Sequence, residues 1–404
     1  MPPVSALKSL SPIPRRAPPR TAASARPFAR VEVYETLEDA RPAWAALAAN
    51  VSASPYQSFD FARIWFVSLG AASGATPLIV VARDEADVPV ALLPLARAAL
   101  GPLRLAAFLG GKDSNFNLGL FLPDREWSRD DLAALFAEAA RRARPRIDAF
   151  LLVNQPLSWR GFANPLAAAP RQPSASYAYA TALPGDYSVW LDARASKDAK
   201  KKMRKKRARL EAIAPLERRC AASADEIDRA LAAYRAAWRA RAEVIGVRDP
   251  YASPAAQEFL ARLARERTLE LHTLLHGDRI IAVFGALPGI NRLCGLFIGH
   301  DGDPEIARSS PGEIIVQAVV ADAIARGFVE FDLGVGESRY KDDACEIVEP
   351  LFDSAFGFGP LGRIAARGFL AKQGLKRRVK QSPQRLALVN RLLAPFRRWR
   401  RAAT

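Results

Sequence analysis

Twice along this chain a helical stretch is followed by three strands, a second helix and a further strand. In the first copy a helical stretch at 59–69 leads to strands at 77–83, 88–95 and 103–109, a helix at 130–144 and an extended run at 147–153. In the second copy a helix at 255–266 leads to strands at 269–275, 280–287 and 293–299, a helix at 313–326 and a strand at 328–333. Each strand is an apolar run of strand length, bounded by turn formers such as the residues at 84–87, 276–278 and 289–291. A strand meander followed by a helix-to-strand crossover exposes apolar sheet faces that only helices can cover. The repetition therefore predicts a mixed α/β fold, with two tandem halves of mixed sheet and helices on the sheet faces. The 404 residues fit two halves, since one domain takes roughly 100 to 200 residues.

The expected boundaries are 29–180 for the first half and 181–360 for the second, with a joint near 170–185. Residues 1–28, rich in Pro, Ser, Ala and Arg and without periodicity, read as a disordered basic segment. Residues 361–404 read as a basic amphipathic tail.

The net charge of +17 suggests a nucleic-acid partner until its distribution is examined. Residues 1–30 hold six cations and no acid, residues 361–404 hold thirteen and no acid, and the remainder carries −2. The folded body is not basic, which argues against DNA. The tail mixes Leu386, Leu388, Val389, Leu392, Leu393, Phe396 and Trp399 with cations, a composition for peripheral contact with an anionic membrane or for packing on its own domain.

Cys220, Cys294 and Cys345 are odd in number and widely spaced, which suits packing in a reducing compartment better than a disulfide framework. No apolar signal segment precedes Arg15 and Arg16, and the longest apolar region, 88–109, is broken by two Arg and two Pro. The expected location is the cytoplasm, with peripheral association at the inner face of the membrane. His272 and His276 fall on a strand and its turn without a second ligand pair, so no metal is expected.

Several segments carry a resemblance: Tyr56-Gln57-Ser58-Phe59, the basic run 200–209, Ser310-Pro311-Gly312, Phe331-Asp332-Leu333-Gly334-Val335-Gly336, and Tyr340-Lys341. In this order, over roughly residues 30–360, they resemble the GNAT-related acyltransferases of the cellulose-biosynthesis (CelD-like) and BioF2-like group, akin to the Fem-type aminoacyl transferases of peptidoglycan synthesis. The resemblance implies an acyltransferase that uses acetyl-CoA or another acyl-CoA. Its acceptor would be an amine or hydroxyl on a cell-envelope or exopolysaccharide precursor, a polyanionic or saccharide substrate. One departure stands out: 308–313 reads Arg-Ser-Ser-Pro-Gly-Glu, with Pro at the first glycine position of the usual phosphate loop.

The helix after Ser310 has apolar positions Val316, Val319, Val320, Ala323 and Ile324 on one face, and its start offers free N–H groups and a partial positive charge for a pyrophosphate. Arg308, Ser309, Ser310 and Gly312 are the expected cofactor-binding residues. An ordinary Ser or Pro helix start explains the same residues without a ligand. Acyl transfer needs a cation for the oxyanion and a proton for the leaving group. Lys341 suits the first role and Tyr340 the second, and Fem-type enzymes use a lysine at a similar aromatic-Lys pair. Asp332 or Glu337 suits the base, with capping of the glycine turn as the alternative role for Asp332. The helix over 197–209 is cationic on every face, a strain that a polyanion relieves, so Lys201, Arg204 and Lys205 are the expected acceptor-binding residues. Two further readings stay open: a Fem-type transferase using charged tRNA, and a noncatalytic membrane-tethered scaffold.

Overall fold

The computed structural model describes residues 26–51, 53–245, 251–382 and 384–385. Residues 1–25, within the segment expected to be disordered, and residues 386–404 of the tail lie outside the described ones. The described chain forms two compact units. One takes the residues up to Tyr177 and again from Glu349, and the other takes Ala178–Val348.

The first unit opens with β1 (Arg30–Tyr34), α1 (Leu37–Ala48) and α2 (Phe59–Trp65), which ends in a wider turn at Phe66–Gly70. The meander β2 (Thr76–Arg83), β3 (Pro89–Leu100) and β4 (Leu103–Phe108) follows, with the short β5 (Leu120–Phe121) beside β3. Then come α3 (Arg129–Arg142), β6 (Ala149–Pro156) and a small hairpin, β7 (Ser158–Trp159) and β8 (Phe162–Ala163). Alternation along β2 sends Leu78, Val80 and Ala82 into a core with Leu132, Leu135 and Phe136 of α3. Ile79 and Val81 face the opposite way, onto Leu37, Ala40, Trp44 and Leu47 of α1. That period of two is what covers the sheet with a helix on each face.

The passage from one unit to the other falls between Tyr177 and Ala178, within the stretch 170–185 where a joint is expected, and the chain makes it inside a strand, β9 (Arg171–Ala182). The second unit continues with α4 (Tyr187–Arg194), α5 (Lys197–Glu211), β10 (Leu216–Cys220), α6 (Ala224–Ile245) and α7 (Pro254–Arg265). Its meander is β11 (Glu270–His276), β12 (Arg279–Pro288) and β13 (Arg292–His300). One turn, α8 (Pro304–Ala307), precedes α9 (Pro311–Ala325), β14 (Glu330–Val335) and the short α10 (Arg339–Ala344). The chain then returns to the first unit as β15 (Ile347–Gly357) and α11 (Gly359–Lys380), so part of the stretch expected as a tail is a helix of that unit.

The two units share one pattern of pairing. In the first, β2, β3 and β4 are antiparallel, β4 and β6 are parallel, and β6 and β15 are antiparallel. In the second, β11, β12 and β13 are antiparallel, β13 and β14 are parallel, and β14 pairs antiparallel with 178–182 of β9. The mixed α/β fold of two tandem halves expected from the repeated element order is the fold observed. No described helix is long and apolar enough to cross a membrane.

Candidate active site

The parallel pair β13 and β14 organises the second unit. Register is held only over Arg292–Glu330, Leu293–Phe331 and Cys294–Asp332, and past that point the strands part. The start of α9 and the α10 residue Lys341 both lie toward the carboxyl ends of these strands. Gly312 sits against the end of β13, where a Cβ would stand 3.2 Å from His300 Cδ2 and 3.7 Å from Ile298 Cδ1. Lys341 is buried at the end of β14, its Nζ donating to Gly334 O and Val335 O at 3.2 Å each and lying 5.9 Å from the Tyr179 ring centre.

Asp332 is fully buried. Its Oδ2 accepts from Arg292 Nη2 at 2.7 Å and its Oδ1 accepts from the Gly334 N–H. The second contact caps a turn in which Gly334 has φ +78 and Gly336 φ +106, backbone that glycine alone adopts without strain. Cys345 follows α10, and burial, with the carboxylates of Asp332 and Glu346, pushes its thiol well above the ordinary range. The backbone of Tyr340 lies in α10, and its side chain is outside the described ones.

The start of α9 differs from the sequence expectation. Ser309 and Ser310 donate their N–H groups to Ile306 O and Ala307 O of α8, Pro311 has none, and Glu313 N bonds back to Ser310 O. That leaves the Gly312 N–H as the amide at this helix start without a backbone acceptor among the described residues. Ser310 adopts a left-handed φ of +52 and gives no side-chain cap. The expected anion site therefore offers fewer amides than an isolated helix start, and a cation that sequence reasoning missed sits beside it. Lys206 of α5 donates through Nζ to Ser310 Oγ and pairs with Glu313 Oε2, each at 2.9 Å. Glu313, which would oppose an anion, is thereby compensated. Spacing along α5 gives no hint of Lys206, because every face of that helix carries Lys or Arg.

The other expected residues are spread around this point. Arg308 is exposed and pairs with Glu305 at 2.9 Å. Ser309 is fully buried and its Oγ has no hydrogen-bond partner among the described residues. Arg204 lines a cavity of about 300 Å³ between α4, α5 and the first turns of α9, with Lys200, Met203 and Arg207 of α5, Leu191 and Tyr187 of α4, and Glu313 and Gln317 of α9. Lys201 and Lys205 are exposed outside that lining. A second cavity, of about 400 Å³, runs between Ala233, Ala236, Ala237 and Ala240 of α6 and the ends of β12 and β13, next to His300.

The two histidines do not share a site. His276 Nε2 lies 2.9 Å from Leu210 O. His272 belongs to a charge ring: Arg218 Nη1 stands 3.1 Å from its Nδ1 and Glu270 Oε2 stands 3.2 Å from its Nε2, while Arg326 pairs with both Glu270 and Asp322 and Arg218 with Asp322. Cys220, Glu270 and His272 bring ligand atoms within 4.8 Å of one another. A guanidinium only donates, so Nδ1 accepts from Arg218 and Nε2 carries the proton toward Glu270. That tautomer turns no lone pair toward an ion.

The first unit offers a contrast at the equivalent helix. Ser128 caps α3 in a reciprocal box, with Asp131 N on Ser128 Oγ at 3.1 Å and Ser128 N on Asp131 Oδ2 at 2.9 Å, and Asp130 adds a second acid to the first turn. Self-capped and negative, that helix start repels an anion.

Residues 197–342 match the family model of the acetyltransferase (GNAT) domain. Among solved structures the chain is similar to FemX, with TM-score 0.54 and 8% identity over 80% of this chain and 97% of that one. It is also similar to a conserved protein of unknown function from Bacteroides thetaiotaomicron, with TM-score 0.50 and 14% identity over 80% of this chain and 99% of that one. At these identities the likeness is one of fold. No curated protein sequence matches the chain.

Proposed function

We propose that the protein is a transferase that passes an acyl group from acyl-CoA to an amine or hydroxyl of a cell-envelope or exopolysaccharide precursor, a reading supported by the match of residues 197–342 to the GNAT acetyltransferase family model. The observation that carries the reading is that the uncapped start of α9 lies at the carboxyl end of β13 and the buried ammonium of Lys341 at the carboxyl end of its parallel neighbour β14.

The donor's phosphates lie at the start of α9, on the Gly312 N–H, the dipole of α9 and the Lys206 ammonium, which leaves Glu313 for the phosphate. Arg308, Ser309 and Ser310 shape the turn that presents this amide. Arg204 and its cavity take an anionic part of donor or acceptor, with Lys201 and Lys205 drawing it in from outside. At the reacting carbonyl, Lys341 stabilises the negative charge that develops on oxygen; as the bond to the acceptor forms and the C–S bond breaks, Tyr340 gives a proton to the leaving thiolate and is reprotonated by the proton the acceptor amine or hydroxyl loses. Asp332 is a positioning residue, holding the glycine turn on which Lys341 rests. The affinity with the CelD-like and BioF2-like group supports a saccharide acceptor, and the basic ends of the chain support peripheral work at the inner face of the cytoplasmic membrane.

The test is release of free thiol from acyl-CoA, combined with mass spectrometry of acylated products from cells with and without the protein. The reading predicts a product that disappears with Lys341→Met; wild-type turnover by that variant removes Lys341 from the site. A second reading, transfer from an aminoacyl-tRNA, is favoured by Pro311 at the first glycine position and by the cationic α5. Activity that RNase abolishes would select it.

A further inference from the structure

The last described helix turns an apolar seam to water. α11 carries seven Lys or Arg and no acid. One of its sides is docked on the first unit: Gly362 has no room for a Cβ against the Asp148 carbonyl, and Ala366 is buried. Arg377 donates to Ser174 O at 2.6 Å and to Tyr177 Oη at 2.8 Å, and Gln381, one residue past the helix, donates to Ala175 O at 2.9 Å. The opposite side is where the amphipathic pattern inverts. Leu361, Ile364 and Leu375 are 60%, 67% and 62% exposed, and with the exposed Gly368 and Ala371 they recur at alternating steps of three and four, which is one stripe of an α-helix.

Cations border this stripe on both sides. Helical geometry sets Arg363, Arg367 and Arg378 along one edge and Lys372 and Lys376 along the other. Arg363, Arg367, Lys372 and Arg378 make no ion pair among the described residues, so their charge is available to a partner. Large aliphatic side chains aligned on an exposed face mark an interaction surface. The terminal residues 386–404 are a poor cover for it, since they carry five cations and no acid and would meet like charge. A nucleic acid would use the cations and leave the aliphatic stripe in water.

We propose that the exposed face of α11 is a membrane-docking surface, in which Leu361, Ile364 and Leu375 enter the acyl boundary of an anionic bilayer while the flanking cations meet the lipid phosphates. Both halves of the arrangement are needed for a helix that lies in the interface plane: apolar area for insertion and cations for anionic headgroups. The proposal concerns the first unit and stands apart from the chemistry assigned to the second.

Flotation of the full-length protein with phosphatidylcholine vesicles, with and without phosphatidylglycerol, tests it. Wild type is expected to float with the anionic vesicles only. Leu361→Gln/Ile364→Gln/Leu375→Gln, which leaves every charge in place, is expected to lower that partition about tenfold or more. Arg363→Gln/Arg367→Gln/Lys372→Gln/Arg378→Gln, which keeps the seam, is expected to do the same. All seven positions are exposed, so circular dichroism should match wild type. Wild-type flotation by the seam variant would overturn the proposal and hand binding to charge or to the terminal residues. Failure of wild type to float, with binding of an RNA oligonucleotide that the seam variant retains, would overturn it in favour of a nucleic acid.

Discussion

At Lys341 the structure adds to the sequence a consequence that spacing alone conceals. The pairing of an aromatic residue with lysine after a glycine turn is readable in the sequence, but burial of the ammonium on two strand-end carbonyls is not. Lys341→Met should lower kcat by about 100-fold or more, as loss of an oxyanion donor does. It should also destabilise the fold by about 1–3 kcal/mol, because Gly334 O and Val335 O lose their donor. Stopped thiol release with a folded but weakened protein, measured by activity and by thermal unfolding, is the expected pair of results. Gly312 makes a separate claim. A methyl group there meets His300 at 3.2 Å, so Gly312→Ala should shift the start of α9 and raise the donor KM several-fold with a smaller change in kcat. Asp332 is readable as either base or cap; its contact with Gly334 N is local and favours the cap, while the ion pair with Arg292 arises only from the pairing of β13 with β14.

Elements with strong periodicity were legible, and those without it were not. The two meanders and α3, α7, α9 and β14 were found within a few residues of their observed ends, since long apolar runs between turn formers leave little choice. The stretch 170–185 reads in the sequence only as a joint; that its residues 171–182 form a strand, β9, shows in the pairing with β14. α5 was recognised as a helix, yet nothing in it singles out Lys206, whose partners are more than a hundred residues away. Lys206→Gln should raise the donor KM about tenfold while leaving kcat within a few-fold, through loss of a charge-assisted contact to phosphate. The contact between β11 and the end of α9 supplies a prediction about pH. Burial pushes the Glu270 carboxyl upward, but hydrogen bonds with His272 and Arg326 outweigh it and hold the group at about 2 against an ordinary 4.5. A carboxylate held low stabilises the fold above its ordinary value, and that contribution fades as pH falls from about 4.5 toward 2. Acid unfolding of Glu270→Gln should lose this slope, worth roughly 2–3 kcal/mol. An unchanged slope would show that the ring does not hold the carboxylate.

Over the whole molecule, duplication is legible in the sequence as a repeated element order, while the inequality of the two copies is not. It rests on small differences at one helix start. Ser128 and Asp131 close the first turn of α3 on itself, whereas α9 begins with a left-handed Ser310 whose hydroxyl accepts from Lys206, followed by a Pro and then Gly312. On the proposed reading one copy rejects an anion and the other accepts it, so calorimetric titration with coenzyme A should give one site per chain. The discontinuity of the first unit, which β15 and α11 complete after the second has been traversed, was beyond sequence reasoning because it depends on pairing between residues some two hundred positions apart. The account turns on where the acyl donor sits, and hydrogen–deuterium exchange with saturating coenzyme A reads that directly. Protection is predicted in peptides covering 310–317 and 334–341, with none over 128–132. Protection at the start of α3, or none at α9 and Lys341, would contradict the assignment.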